Sequence, residues 1–279
     1  MNSARSLQER VQNAFASAPQ SAFAKIDPDE LAGSSADTYR DLDLAQRVAA
    51  IRNIVRGRVV FTTSFGIEDQ AIAHAIFTQA LVIDVVTLDT GRLFPETYEL
   101  WARTERRYRH RIHAYCPDSA GVEGLVIRQG INGFYTSLEA RQACCATRKL
   151  EPLQRAIAGA TAWITGLRAD QSDERAATTF AAVHPYYRLI KVNPLFDWTR
   201  ERVLSFIREH GIPYNSLHDH GFTSIGCAPC TRAIAAGEPE RAGRWWWEHE
   251  HKECGLHRRR DAEVSVQPQA DAATGAAEP

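Results

Sequence analysis

The chain has no long uninterrupted apolar run and no strong excess of charge of either sign. Its first ten residues (MNSARSLQER) are polar, so we expect neither a secretory signal peptide nor a membrane anchor. Polar residues interrupt the most apolar stretch, Ala71–Leu88, which favours a helix end and a buried strand over a membrane span. A net charge of −1 disfavours a broad nucleic-acid surface. These absences predict a cytoplasmic protein that binds a small molecule.

Four of the six cysteines form two pairs that are distant in sequence. Cys144 and Cys145 are adjacent, and Cys227 and Cys230 form a C-x-x-C motif. Two such pairs can supply the four thiolates of a metal centre. Buried apolar cysteines, half of a zinc site, a redox dithiol and disulfides are alternative interpretations. The missing signal peptide argues against disulfides.

The adjacency of Cys144 and Cys145 favours an iron–sulfur cluster over zinc. Consecutive helical residues point about 100° apart, so two neighbouring thiolates on one zinc ion would strain the backbone. A cluster offers each thiolate a separate iron atom. Zinc sites usually have spaced pairs on both sides, whereas this chain has that spacing on one side only.

The spacing of apolar residues predicts an α/β fold. A parallel sheet with helices on both faces is typical of such alternation, and ligands bind at the carboxyl ends of its strands. We predict strands at Val59–Thr62, Leu81–Leu88, Arg111–Tyr115, Ala162–Thr165 and Tyr187–Val192. We predict helices from Asp41 to just before Gly57, and at Glu68–Gln79, Pro95–Tyr108, Gly121–Gln129, Ser137–Ala158 with a kink at Pro152, and Thr199–His210 with Asp197 as its cap.

We divide the chain into four segments. Residues 1–38 are rich in Ser, Ala and Pro and form a loosely ordered leader, with one helix around Ser6–Ala16. Residues 39–235 form the α/β domain that binds a nucleotide and the metal centre. Residues 236–260 form a C-terminal segment that carries Cys254. Residues 261–279 lack periodicity, and we expect a disordered tail.

Two polar turns follow neighbouring predicted strands. The first, Thr62–Asp69, combines hydroxyls, a glycine and a helix N-terminus, which can bind an anionic group or a ribose. A simple N-cap at Ser64 is the alternative. This turn lacks the Gly-Lys-Ser/Thr of a Walker loop. The second turn, Thr87–Glu96, ends the next strand, and the two together predict a nucleotide pocket.

Basic residues recur near the cysteines. Any one of them is more often a solvated surface charge. Together they predict an oxyanion clamp, because guanidinium groups match the oxygens of phosphate and sulfate. They are Arg148, Lys149, Arg168, Arg175, Arg241 and Arg244.

Cys254 is a candidate nucleophile. Its neighbours His251, Lys252, His257 and Arg258–Arg260 are basic. Positive charge lowers the pKa of a thiol and so favours the reactive thiolate. A free surface thiol is the alternative. Cys116 has no such neighbours, and we interpret it as structural.

Several motifs resemble those of the assimilatory adenylyl-sulfate (APS) reductases, over about Val59 to His257. The resemblance implies an ATP-pyrophosphatase-like (adenine nucleotide alpha hydrolase-like) α/β fold with an iron–sulfur loop region and a flexible C-terminal segment. It also implies a [4Fe-4S] cluster and thioredoxin-dependent reduction of APS to sulfite and AMP. The motifs are Ser64-Phe65-Gly66 with Glu68-Asp69, Leu88-Asp89-Thr90-Gly91, Cys144-Cys145-x-x-Arg148-Lys149, Gly166-Leu167-Arg168 with Gln171-Ser172, Ser224-Ile225-Gly226-Cys227-x-x-Cys230-Thr231 and Glu253-Cys254-Gly255-Leu256-His257.

The resemblance also implies roles for individual residues. Cys254 would attack the substrate sulfur, and the cluster ligands would be Cys144, Cys145, Cys227 and Cys230. The turns at Ser64 and Gly66 and at Leu88, Asp89 and Thr90 would hold the adenosine. Lys149, Arg175, Arg241 and Arg244 would lie near the phosphosulfate, and Arg168 and His257 would be further substrate-binding residues.

Three alternatives remain open at this point. A reductase of 3′-phosphoadenylyl sulfate (PAPS), or one that accepts both substrates, would share most of these motifs. A tRNA-thiolating relative would need a Ser-Gly-Gly-x-Asp loop and a basic surface, and neither is visible. A non-catalytic metal-binding module would explain four cysteines but not Cys254. The sequence also leaves open whether the protein forms a homo-oligomer.

Overall fold

The computed structural model describes residues 37–248. Several predictions concern residues outside this range. They are the leader helix Ser6–Ala16, the candidate nucleophile Cys254, the candidate ligand His257 and the C-terminal tail. Within the described part, no helix is both long and apolar enough to cross a bilayer.

A six-stranded sheet forms the centre of the domain, in the order β3-β2-β1-β4-β6-β5. Its pairs are parallel except for β5, which runs antiparallel to β6 at one edge. This arrangement confirms the predicted, mostly parallel sheet. The strands are β1 (Arg58–Thr63), β2 (Asp84–Leu88), β3 (His113–Tyr115), β4 (Ala160–Ile164), β5 (Ala181–Val183) and β6 (Ile190–Val192).

Helices cover both faces of the sheet, as predicted. Alternate residues of β1 point to opposite faces of the sheet. Val59 and Phe61 join a large core with the helices Leu44–Ile54, Ile67–Thr78 and Arg200–Glu209. Val60 joins a smaller core with the helix Glu151–Ile157. The helices are α1 (Asp37–Arg40), α2 (Leu44–Ile54), α3 (Ile67–Thr78), α4 (Pro95–Tyr108), α5 (Ser119–Gln129), α6 (Leu138–Cys145), α7 (Glu151–Ile157) and α8 (Arg200–Glu209). Short 3₁₀ turns lie at Gly133–Tyr135, Ala169–Gln171, Asp173–Arg175, Ser216–His220 and Ala228–Cys230.

The predicted helix Ser137–Ala158 is divided into three parts. After α6 the chain forms a π-helical turn, Ala146–Leu150, and then continues as α7. Pro152 lies in the first turn of α7, where its missing N–H costs nothing. The break therefore precedes the proline and directly follows Cys145.

Two further expectations from the sequence are corrected. The strand β5 has only three residues, too few to show a periodicity, and was not predicted. The cap of α8 is Thr199, whose side chain accepts a hydrogen bond from the backbone N–H of Arg202. Asp197 instead forms an ion pair with Arg47 of α2.

The ion pair of Arg47 and Asp197 connects α2 to the chain before α8. Arg47 has no exposed surface, and its guanidinium donates to both carboxylate oxygens of Asp197. It also donates to the carbonyls of Arg40, Leu42 and Pro194. Every donor direction of this buried cation thus meets an acceptor.

Replacing Arg47 with leucine should lower the free energy of unfolding by about 3 kcal/mol, because Asp197 loses its buried counter-charge. Urea unfolding followed by tryptophan fluorescence measures this change. The control is Arg111→Leu, since Arg111 is 93% exposed and pairs only with Glu105 among the described contacts. That variant should lose less than about 1 kcal/mol. Equal losses in the two variants would contradict this account.

Candidate active site

The turn between β1 and α3 brings several polar groups to the edge of the sheet. Phe65 adopts a left-handed backbone (φ 61°), and its backbone N–H donates to Thr63 Oγ1. The phenylalanine ring is buried and stacks on Trp101, which stabilises this conformation. Gly66 is the N-cap residue of α3. The simple N-cap at Ser64 is therefore wrong.

Ser64 binds the carboxylate of Asp69. Its backbone N–H and its hydroxyl both donate to Asp69 Oδ2, at 2.6 Å and 2.8 Å. Burial raises the pKa of Asp69 to about 7, although the two hydrogen bonds from Ser64 act in the opposite direction. The turn is thus fixed by a carboxyl group that can change its protonation near neutral pH.

Glu68 is the neighbouring buried carboxylate. Burial alone would raise its pKa, but the guanidinium of Arg168 holds the pKa of Glu68 below its ordinary value. Gln171 Nε2 also donates to Glu68 Oε1, at 3.1 Å. Glu68 is therefore a permanent anion, whereas its neighbour Asp69 is not.

An open pocket lies at the carboxyl ends of β1, β2 and β4. This is the edge at which a parallel α/β sheet binds its ligands. The floor comes from the strand ends and the turns that follow them, and the walls come from the π-helical turn and residues 218–245. The pocket brings together eight of the predicted ligands: Ser64, Gly66, Leu88, Thr90, Lys149, Arg175, Arg241 and Arg244.

Two predicted ligands do not line the pocket. Asp89 points elsewhere, since its Oδ1 accepts hydrogen bonds from the Gly91 N–H and the Tyr98 hydroxyl. Arg168 is completely buried, and Glu68, Asp170 and Glu240 occupy its guanidinium. Glu240 also forms an ion pair with Arg200, at 3.5 Å. Arg168 thus does not line the pocket but connects its floor, at Glu68, to its wall, at Glu240.

The four paired cysteines line one small cavity beside this pocket. Cys144 and Cys145 come from the end of α6, whereas Cys227 precedes the short turn Ala228–Cys230 and Cys230 ends it. The loop with Cys227 is attached to the turn after β2, because Ala228 N–H donates to the carbonyl of Arg92 and Thr90 Oγ1 lies 3.3 Å from Cys227 Sγ. Folding has thus brought the two pairs together across about eighty residues of sequence.

Basic side chains surround the four thiols. Arg92, Arg141, Arg148, Lys149 and Arg244 all line the cysteine cavity. Burial raises the pKa of the Cys230 thiol to about 12, and the nearby Cys227 and Cys145 act in the same direction. Grouping four thiolates here therefore requires added positive charge, which metal ions would supply and which the basic residues support.

The chemistry of the four side chains fits a metal centre with thiolate ligands. As they stand, no three metal-ligand side chains among residues 37–248 converge closely enough to hold a metal ion. Four thiols around a shared cavity are the donor set of a [4Fe-4S] cluster, in which each thiolate binds its own iron. These four residues would hold the group.

The cysteine cavity and the pocket share a wall made of Lys149, Arg244 and Trp245. Trp245 is buried between two guanidinium groups, each 4.6 Å from its ring, those of Arg141 and Arg244. Gly226 permits this packing, because a Cβ atom there would lie 2.3 Å from Arg244 Nη2. A group bound by the cysteines would therefore lie one side-chain layer from a ligand in the pocket.

The sequence did not reveal every lining residue. His218 and Glu240 line the pocket, but both lie in the irregular part of the chain, where no periodicity marks them. Gln171 belongs to a quoted motif, although its bond to Glu68 could not be foreseen. Cys116 is exposed, and its carbonyl accepts from Arg155.

Gly166→Ala should disturb the floor of the pocket. A Cβ atom at Gly166 would lie 2.3 Å from Asp69 Oδ1 and 3.0 Å from Glu68 Cβ, and both side chains are buried and bonded. We expect roughly tenfold weaker AMP binding by isothermal titration calorimetry, as for the loss of one hydrogen bond.

The matched control is Gly124→Ala, because Gly124 lies inside α5 and a Cβ atom there meets only the flexible end of Arg128. Alanine at this position should raise stability by up to about 1 kcal/mol through its helix propensity and leave AMP binding unchanged. Unchanged AMP affinity in Gly166→Ala would disprove the assignment of this floor.

Comparison with known proteins agrees with this geometry. The family model described as phosphoadenosine phosphosulfate reductase domain matches residues 58–233. The adenosine 5′-phosphosulfate reductase of Rhizobium meliloti is 55% identical over 222 residues, covering 79% of this chain and 83% of the relative. The protein of the same name from Neisseria meningitidis is 44% identical over 85% of this chain and 98% of its own length.

Among solved structures, a phosphoadenylyl-sulfate (PAPS) reductase from Candida auris, in complex with phosphate, superposes with a TM-score of 0.62. It is 26% identical and covers 76% of this chain and all of its own. The shared fold confirms the expected architecture. With its family domain spanning β1 to the cysteine loops and its high identity to curated relatives, this chain belongs to the phosphoadenosine phosphosulfate reductase family and is similar to its adenosine 5′-phosphosulfate reductases.

Proposed function

We propose that this protein reduces APS to sulfite and AMP in sulfate assimilation, with thioredoxin as the reductant. The observation that carries the proposal is the wall shared by the pocket and the four-cysteine cavity, formed by Lys149, Arg244 and Trp245. Support also comes from relatives named adenosine 5′-phosphosulfate reductase at 44% to 55% identity. Four thiols that must stay reduced to bind a metal centre favour the cytoplasm.

The distribution of charge supports one orientation of the nucleotide. The cations Lys149 and Arg244 line both the pocket and the cysteine cavity, and Arg241 lines the pocket. The phosphosulfate would bind beside these three residues. The floor formed by the turns at Ser64–Gly66 and Leu88–Thr90 would then hold the adenosine. Arg175 also lines the pocket, and we assign it to the anionic end of the substrate.

A [4Fe-4S] cluster held by Cys144, Cys145, Cys227 and Cys230 is part of the proposal. When bound, its iron atoms would offset part of the negative charge of the four thiolates and would join the two cysteine loops. Lys149 follows Cys145 within the π-helical turn, so loss of the cluster would also release a substrate-binding residue.

Cys254 is the proposed nucleophile, and it lies outside the described residues. Its six-residue tether begins at Glu248, which is bonded to Arg141 beside the cysteine cavity. Six residues reach at most about 21 Å, so Cys254 can contact the pocket from this anchor. Residues 236–248, the start of the predicted C-terminal segment, already supply Glu240, Arg241 and Arg244 to its lining.

In the proposed reaction, the Cys254 thiolate attacks the sulfur of APS, and the bond from that sulfur to the phosphate oxygen breaks. AMP leaves with the electron pair, and Cys254 becomes a thiosulfonate. Lys149, Arg241 and Arg244 would stabilise the charge that develops on the leaving phosphate.

A thioredoxin thiolate then attacks the Cys254 sulfur and releases sulfite, which leaves a mixed disulfide. The second thioredoxin thiol breaks this disulfide and restores Cys254 as a thiol. Two thiols are oxidised to a disulfide and one sulfo group is reduced to sulfite, so the electrons balance. Neither step requires the cluster to carry an electron.

PAPS reduction is the second candidate, favoured by the PAPS reductase of Candida auris that shares the fold. PAPS carries an additional 3′-phosphate and needs additional positive charge. The cations among the described lining residues are Lys149, Arg175, Arg241 and Arg244, and the proposal assigns all four to the phosphosulfate. We therefore assign APS as the preferred substrate. Comparable or higher kcat/KM for PAPS would contradict this assignment.

Protein purified without oxygen should be brown and contain about four irons and four sulfides per chain. Cys227→Ser should lose iron and activity together, because one iron loses its thiolate ligand. Cys116→Ser is the control and should keep both, since Cys116 does not line the cysteine cavity. Stoichiometric zinc without sulfide would contradict the cluster assignment.

Cys254→Ser should keep its iron while turnover of APS is abolished, because a hydroxyl of high pKa cannot replace a thiolate. Wild-type protein incubated with APS alone should gain roughly 80 Da on the peptide that contains Cys254. Reduced thioredoxin should remove this mass. An adduct on Cys116, or activity in the serine variant, would show that the nucleophile is misassigned.

A further inference from the structure

His218 is a lining residue of the pocket whose ring has no hydrogen-bond partner. Both ring nitrogens are shielded from solvent, and neither forms a hydrogen bond within the described chain. The backbone of Phe222 comes near the ring and favours its protonated form, but does not reach hydrogen-bonding geometry. Buried polar groups in folded proteins are almost always paired. The missing partner of His218 is therefore expected in the pocket.

Hydrogen bonds fix the position of the turn that carries His218. Asn215, which is buried, accepts a hydrogen bond from the Leu217 N–H and donates to Thr97 Oγ1. Phe222 N–H donates to the carbonyl of Leu217, and Gly221 ends the turn with a left-handed backbone (φ 82°). The imidazole thus has a fixed position and cannot easily move to find another partner.

The charges around His218 are already balanced. Burial lowers the pKa of His218, and the cation of Arg200 lowers it further, while Glu68 and Asp219 act in the opposite direction. Glu68 is paired with Arg168, and Arg200 is paired with Glu240. The ring is consequently neutral at physiological pH and presents one donor and one acceptor.

We infer that His218 binds the nucleoside part of the substrate, through hydrogen bonds from its imidazole to a ribose hydroxyl or to the edge of the base. This inference rests on the proposed function, because it requires a nucleotide in the pocket. A hydroxyl or a purine edge both donates and accepts, which matches a neutral imidazole. An anion could use only the single N–H.

The position of His218 supports this assignment over the phosphosulfate. The charged groups that act on it are Glu68, Arg200 and Asp219, whereas the cations Lys149 and Arg244 also line the cysteine cavity. His218 is therefore acted on by charges other than those of the wall that the pocket shares with the cysteine cavity. A hydrogen bond from His218 would add specificity for a part of the substrate that the cations of that wall do not contact.

The test is the affinity of the cluster-containing protein for AMP, measured by titration calorimetry. His218→Phe keeps a ring but removes both nitrogens, and AMP should bind about tenfold more weakly. His218→Asn restores a donor and an acceptor and should recover part of this loss. The matched control is His220→Phe, because His220 is exposed in the same turn and does not line the pocket.

Inorganic sulfate tests the part of the pocket proposed for the phosphosulfate without involving the part proposed for the nucleoside. The affinity for sulfate should be the same in wild type and in His218→Phe. A loss of AMP binding without loss of sulfate binding, at unchanged melting temperature, supports the inference. Unchanged AMP binding, or equal losses for AMP and sulfate, overturns it.

Nucleotide analogues identify the group that His218 contacts. The analogues are 2′-deoxy-AMP, 3′-deoxy-AMP and purine riboside 5′-monophosphate. The analogue that lacks the contacted group should bind equally well to wild type and His218→Phe, because the interaction is already absent. The proposed function is tested separately: wild type that binds AMP but does not turn over APS disproves that function and leaves the contact of His218 with the nucleoside intact.

Discussion

The candidate site depends on the ion pairs of one buried cation, Arg168. Its side chain has no exposed surface and forms ion pairs with three carboxylates. They belong to Glu68 at the start of α3, Asp170 in the loop after β4, and Glu240. A buried guanidinium without these partners would be strongly destabilising, and so would the carboxylates without it. The network is therefore stable only when Glu68 and Glu240 both contact Arg168. Because Glu68 belongs to the pocket floor and Glu240 to its wall, these contacts fix the distance between floor and wall.

This network also decides which basic residues line the pocket. Arg168 is occupied by carboxylates and does not line the pocket, whereas Arg241 and Arg244, which follow in the chain, do. Glu240 and Arg241 are adjacent, so the anchor and the proposed ligand share one short backbone segment. Positioning and binding are thus performed by neighbouring residues with opposite charge.

The wall between the pocket and the cysteine cavity makes the two sites depend on each other. Lys149 follows the adjacent cysteines within a π-helical turn, a rare conformation that often occurs at functional sites. Trp245 is attached by its backbone N–H to the carbonyl of Cys230. A metal centre at the cysteines would hold both residues, so in the proposed enzyme its structural role alone would support substrate binding.

The sequence by itself determined the five parallel strands and most of the helices, the two polar turns and the paired cysteines, because these depend on residues close together in the chain. Apolar periodicity fixes which segments form elements, and parallel strands bring their carboxyl ends to one edge. The tertiary structure alone decided that Arg168 anchors the site and that His218 lines the pocket. Arg168 binds Glu68 and Glu240, which are 100 and 72 residues away in the sequence. No local sequence pattern distinguishes such a buried, paired arginine from an exposed arginine that binds a sulfate.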